Sequence, residues 1–107
     1  MKFAQYNVVL VNLDPTVGSE IKKTRPCVII SPDEMNRHLN TLTIAPMTGT
    51  GKAYPTRVAA SHGNKPGWIV IDQLRTIDKK RVVKKLGALT KAEIARCKQV
   101  IRETFVD

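Results

Sequence analysis

Histidine and cysteine are scarce, with two of each in 107 residues. His38 and His62 fall short of the usual material for a zinc site or a Ser-His-Asp triad. Cys27 and Cys97 lie far apart, each in an apolar pattern with no second ligand type at metal-site spacing, and give little ground for a disulfide or a metal centre. No metal and no cofactor is therefore expected, and any chemistry must come from Asp, Glu, Arg, Thr or Ser. Long hydrophobic runs are missing too. Apolar residues make up 42 % of the chain but come in short clusters, none near the roughly 20 residues that span a bilayer. The opening MKFAQYNVVLVNLDP is broken by Asn7 and Asn12 and followed by no small-residue cleavage site. No signal peptide and no membrane association are expected, with the cytoplasm as the default location. No repeat, low-complexity tract or linker divides the sequence, and its length suits one domain, 1–107.

Acidic residues are the other shortage. Nine Asp and Glu face 18 Lys and Arg, for a formal net charge of +9. Such an excess on a small domain attracts polyanions and steers them at long range, so nucleic acid or an acidic protein is the expected partner. The plainer alternative is a solvated basic surface with no specific ligand.

What is present reads mainly as β structure. Tyr6–Leu13 is rich in β-branched residues and ends at the Asp14-Pro15 turn signal. Cys27–Ile30 is a second apolar run, and Asp33–Asn40 suits one helical turn. Thr41–Ala45 alternates as a half-buried strand does, with Pro46 as its stop. Met47–Pro55 reads as a flexible loop. Arg57–Ala60 and Trp68–Ile71 read as strands around a turn-rich SHGNKPG, and Val82–Leu86 as a sixth strand. Thr90 and Glu93 then form a capping box, and Ile94, Cys97, Ile101 and Phe105 follow at spacings of three and four, which predicts a terminal amphipathic helix laid on a sheet. Short strands, turns and a closing helix indicate a mainly β (α+β) fold, a small curled sheet or partly open barrel.

One stretch carries more chemistry than a strand connection needs: GSEIKKTRPCVII, residues 18 to 30. Gly18 permits a positive φ, and Pro26 biases Arg25 toward extended backbone at the entrance of the second strand. Glu20 lies on the loop before it, so a carboxylate and a guanidinium are expected around a shared space. That pairing suits phosphate chemistry: the carboxylate takes a proton from a hydroxyl nucleophile while the cation stabilises charge developing on phosphate oxygens. The bland reading is a surface Glu-Arg pair worth ~0 to 1 kcal/mol.

VNLDPTVGSEIKKTRPCVIISPD, then NTLTIAPMTGT, then IDQLRTIDKKRVVKKLGALTKAEI, in that order and spacing, resemble the PemK/MazF family of toxin endoribonucleases. The resemblance implies an SH3-like partly open barrel of the CcdB/Kid/MazF type with a C-terminal helix, assembled as a homodimer. It implies sequence-specific, metal-independent cleavage of single-stranded RNA, with inhibition of translation and growth. It also implies neutralisation by a cognate antitoxin whose acidic, largely disordered C-terminal tail lies across the RNA site, and contact with operator DNA only through the antitoxin complex.

Glu20, Arg25 and Thr48 match the positions the family uses at its cleavage site. On that likeness Glu20 or a neighbour deprotonates the ribose 2′-hydroxyl, Arg25 stabilises the phosphate charge, and Thr48 adds a hydrogen bond. An arginine is a poor proton donor, so its role is electrostatic. A second pattern in the family uses the Asp of the DQ motif, an Arg two positions before it and a His in place of the Ser of GSE. Asp72 supplies the first, but Val70 and Ser19 occupy the other two positions, and Asp72 has the alternative of capping its own turn. Lys22, Lys23, Lys52, Arg57 and Arg75 are candidate phosphate contacts, and Tyr54 a candidate for base stacking. Trp68 suits the core or a dimer interface, and Lys79, Lys80, Arg81, Lys84 and Lys85 a second, solvated basic face. Two rivals remain: a CcdB-like toxin that poisons gyrase without catalysis, and a catalytically silent RNA-binding module.

Overall fold

The computed structural model describes residues 2–106. Its strands are β1 (Asn7–Asn12), β2 (Thr24–Ile29), β3 (Thr41–Thr48), β4 (Arg57–His62), β5 (Lys65–Val70), β6 (Arg75–Asp78) and β7 (Val82–Ala88), with helices α1 (Asp33–His38) and α2 (Lys91–Ile101). Every pairing is antiparallel, in the order β4-β5-β3-β2-β1-β7, with β6 also paired to β3. The result is a mainly β antiparallel half-barrel closed by α2.

The fork at β3 gives the sheet its shape. One edge of β3 pairs with β2 from Ile44 to Pro46. Its other edge pairs first with β6, from Thr41 to Ile44, and then with β5, at Met47 and Thr48. Pro46, expected to end the strand, therefore lies inside it. The Thr43 carbonyl accepts from Ile30 N and Ser31 N, so Thr43 faces β2. Alternation then turns the nitrogen of Pro46 to the opposite edge, in the gap after the pairing with β6 ends at Ile44 and before that with β5 begins at Met47. A proline costs a strand nothing where no ladder bond is due.

β1, β2 and β3 are buried on both faces. Val8, Val28, Ala45 and Met47 join Cys97 and Val100 of α2 in one core, and Val9, Val11, Cys27, Ile29, Leu42 and Ile44 join Leu13 and Ile77 in the other. Strands covered on both sides read as continuous apolar runs rather than as alternation, which explains NVVLV and CVII. Ser31 and Asn36 are two of the three buried polar residues among those described, with Asn7. Ser31 Oγ donates to Asn36 Oδ1 (2.6 Å) and accepts from Thr43 N (3.1 Å), while Asn36 Nδ2 donates to Ser31 O (2.9 Å), which ties α1 to β3.

Three expectations need correction. SHGNKPG is strand almost throughout: β4 and β5 run to His62 and Lys65, joined by Gly63-Asn64 alone, both at positive φ (57° and 64°) as a type I′ hairpin turn requires. DQLRTID is a 3₁₀ turn, Ile71–Gln73, followed by the unforeseen seventh strand β6. The capping box of α2 is present, but Phe105 leaves its apolar stripe. The chain widens into a π turn over Arg102–Val106, which changes the residues per turn and leaves Phe105 55 % exposed, while Val100 is buried instead.

Both cysteines are free and buried. Burial raises the Cys27 thiol from 9.0 to about 12, against the opposing pull of Arg75, and the Cys97 thiol to about 11. A folded pKa above the unfolded one adds stability that is complete at neutral pH and fades as pH climbs from about 9 toward 12. Chemical denaturation should show that fall, and Cys27→Val should remove part of it. Thiol reagents at neutral pH should leave both cysteines of the native protein unmodified, and rapid labelling of either would contradict this packing.

Candidate functional site

Two clefts open side by side where β3 crosses from β6 to β5. The first, of about 390 Å³, is lined by Ser19, Glu20, Ile21, Pro46, Asp72, Gln73, Leu74 and Arg75. The second, of about 150 Å³, is lined by Arg25, Pro26, Met47, Thr48 and Gly49 together with Ala60, His62, Lys65, Pro66 and Gly67 of the β4–β5 hairpin. Consecutive buried residues of β3 line the two, Pro46 the first and Met47 the second.

Glu20 and Arg25 line different clefts. Arg25 and Thr48 meet in the second cleft, and Glu20 faces Asp72 and Arg75 in the first. Glu20 is exposed on the loop between β1 and β2, where its Oε1 accepts from Val17 N at 2.6 Å and Gly18 takes the expected positive φ of 59°. Arg25 is half-buried in β2, and its Nε donates to Lys22 O at 3.3 Å. The Thr48 hydroxyl accepts from Thr50 N (3.3 Å) and lies 3.2 Å from Thr50 Oγ1, which turns the chain away from β3. Behind it Gly67 packs so closely that a Cβ there would stand 2.8 Å from Thr48 O. Only glycine lets β5 approach this end of β3.

Gln73 was not foreseen. Its Oε1 accepts from Ile21 N at 2.8 Å and its Nε2 donates to Ser19 O at 3.4 Å, so one amide holds the peptide groups on both sides of Glu20. The base of the same loop is fixed by Asp14 Oδ1, which accepts from Lys23 N (3.0 Å), and by Arg75 Nη1, which donates to Leu13 O (3.1 Å). Asp72 does not cap its own turn. Its Oδ1 accepts from Thr56 Oγ1 at 2.8 Å, which ties the 3₁₀ turn to the start of β4. Nothing in the residue types marked Gln73 or Thr56, because each acts through a partner far away in sequence.

The remaining cations divide by their surroundings. Lys22, Lys23 and Lys52 are exposed and free to meet an anion. Arg57 lies 4.9 Å from the ring centroid of the exposed Tyr54, an attraction of roughly 0.5–1 kcal/mol that orients this ring on the surface. Arg75 is half-buried, and its bond to Leu13 gives it a structural duty beside its place in the first cleft. In the second basic cluster Lys79 bonds Asn36 O and Arg81 bonds the carbonyls of Asn12 and Asp14, while Lys84 and Lys85 stand exposed on β7. Trp68 is half-buried beside Thr48 in the β3–β5 register.

This architecture has close counterparts among solved structures. It is similar to the crystal structure of MazF from Deinococcus radiodurans (TM-score 0.84, 23 % identity, 96 % of each chain). It is also similar to the Mycobacterium tuberculosis toxin MazF-mt6 (TM-score 0.79, 24 % identity, 92 % of this chain and 95 % of that one). Over 94 residues the sequence is 37 % identical to the endoribonuclease MazF of Staphylococcus epidermidis, covering 82 % of this chain and 78 % of that protein. Residues 4–105 match the family of PemK-like, MazF-like toxins of type II toxin–antitoxin systems. The chain belongs to that family and is a homologue of the endoribonuclease MazF.

The hold of Gln73 on the Glu20 loop can be measured without any substrate. Gln73→Ala should speed amide exchange at Ile21 roughly tenfold, the loss of about one hydrogen bond, and leave Ala45 in β3 unchanged. Equal exchange at Ile21 in both proteins would mean that the amide does not hold the loop.

Proposed function

We propose that this chain is a sequence-specific endoribonuclease of the MazF type, cleaving single-stranded RNA with protein groups alone. The observation that carries the reading is the pair of clefts astride β3, one with an exposed carboxylate and the other with a cation and a hydroxyl. Glu20 takes the proton of a ribose 2′-hydroxyl, and the 2′-oxygen attacks the adjacent phosphorus. Arg25 stabilises the charge on the phosphate oxygens, and the Thr48 hydroxyl donates to one of them. The products are a 2′,3′-cyclic phosphate and a 5′-hydroxyl. Asp72 and Ser19 border the Glu20 cleft, with Asp72 held by Thr56. Lys22, Lys23, Lys52, Arg57 and Arg75 supply phosphate contacts, and Tyr54, backed by Arg57, offers a ring for a base to stack on.

Membership in a toxin–antitoxin family supports a cognate antitoxin as the second partner, and the net charge of +9 suits an acidic tail folded across the RNA site. The same family likeness supports a cytoplasmic homodimer that meets operator DNA only through the antitoxin complex. Cleavage of cellular messages would then stop translation and growth until the antitoxin returns.

The test uses the purified protein in EDTA with a mixed single-stranded RNA, beside a chimera whose candidate sites carry 2′-deoxyribose. RNA should be cut to cyclic-phosphate ends and the deoxy positions spared. Binding of both without cleavage of either would replace this reading with the silent RNA-binding module. Arg25→Ala should abolish detectable cleavage in a protein that still unfolds cooperatively, and full activity in that variant would remove Arg25 from the mechanism.

A further inference from the structure

The second cleft contains a residue that the reaction so far leaves idle. His62 ends β4, where it pairs with Lys65 across the hairpin, and its side chain lines the same cleft as Arg25 and Thr48. It is half-buried. We propose that His62 is a catalytic residue of this site, the proton donor to the departing 5′-oxygen; this rests on the endoribonuclease reading above.

The argument comes from the geometry of phosphoryl transfer. In such a displacement the attacking and leaving oxygens stand roughly in line on opposite sides of phosphorus. A base and an acid serving those two oxygens must therefore occupy opposite sides of the phosphate, and one shared pocket would serve them poorly. The two clefts provide that separation, with Glu20 lining one and Arg25, Thr48 and His62 lining the other. Among the residues lining the second cleft, Arg25 keeps its proton at any ordinary pH, Thr48 and Lys65 are weak acids, and the imidazole is the group suited to proton transfer near neutrality.

The step balances. The 2′-hydroxyl proton passes to the Glu20 carboxylate as the O2′–P bond forms. The P–O5′ bond breaks, and the 5′-oxygen takes the proton of the His62 imidazolium. Exchange with solvent returns both side chains to their starting states.

A substrate that needs no acid isolates the claim. In RNA with sulfur replacing the bridging 5′-oxygen at the cleavage site, the leaving thiolate is stable enough to depart unprotonated. His62→Gln should cut ordinary RNA about 10²- to 10⁴-fold more slowly than the unaltered protein, the usual span for proton transfer, and should cut the sulfur substrate within about threefold of it. Glu20→Gln should lose rate on both substrates, since the nucleophile is unchanged. An equal loss on both substrates in His62→Gln, or no loss on ordinary RNA, would overturn the assignment. Cleavage of ordinary RNA by the unaltered protein keeps the two readings apart: without it the endoribonuclease reading fails first and His62 falls with it.

Discussion

Much of this structure depends on the exchange of partners along one edge of β3. A strand paired continuously on both edges would give a flatter sheet with no opening at its middle. Here β6 leaves at Ile44 and β5 arrives at Met47, and the sheet bends into a half-barrel around the interval. Pro46 fills that interval without leaving an unpaired N–H, an advantage no other residue type offers. The 3₁₀ turn Ile71–Gln73 carries the chain from β5 to β6 across the same gap. The first cleft opens beside that turn, and the second where the end of β3 meets the β4–β5 hairpin.

The loop between β1 and β2 is held against this opening by hydrogen bonds and by Ile21, which packs against the second core cluster. Gln73 reaches its middle, and Arg75 and Asp14 secure its ends. Its tip remains open to water, with Val17 80 % exposed. A segment built this way is ordered at a few points and adaptable between them, a common state for surfaces that must admit a flexible polymer. Lys22 and Lys23 on the same loop place positive charge at its rim.

The sequence disclosed the elements whose causes are local. The capping box of α2 needs only Thr90 and Glu93, and the apolar runs of β1 and β2 need only their composition. Gly18 and Arg25 took the backbone roles that their neighbours imply. What escaped detection depends on partners distant in the chain. Pro46 is a strand stop by propensity, and only the fork at β3 makes it a strand residue. β6 is short and polar on its outer face, so its four residues exist as a strand through pairing with Thr41–Ile44. The hairpin around Gly63-Asn64 was obscured by Pro66 and Gly67, which read as loop chemistry but serve an edge and a close approach. For the site the same division holds: Glu20, Arg25 and Thr48 were candidates by residue type and motif, whereas their distribution between two clefts depends on the fold.

That distribution also separates the residues that hold the fold from those proposed for the chemistry. Glu20, Arg25, Thr48 and His62 belong to neither core cluster, and the side-chain hydrogen bonds of the first three stay within a few residues along the chain. Their loss removes little packing, so stability and chemistry can vary independently at these positions. Gly67 and Gln73 differ, because each sets the position of a neighbour. A methyl group at Gly67 would meet backbone at Thr48 rather than a yielding side chain, so accommodating it requires β5 to move away from β3. The tolerance of this surface to substitution therefore follows the fork in the sheet more closely than the chemical character of the side chains exposed on it.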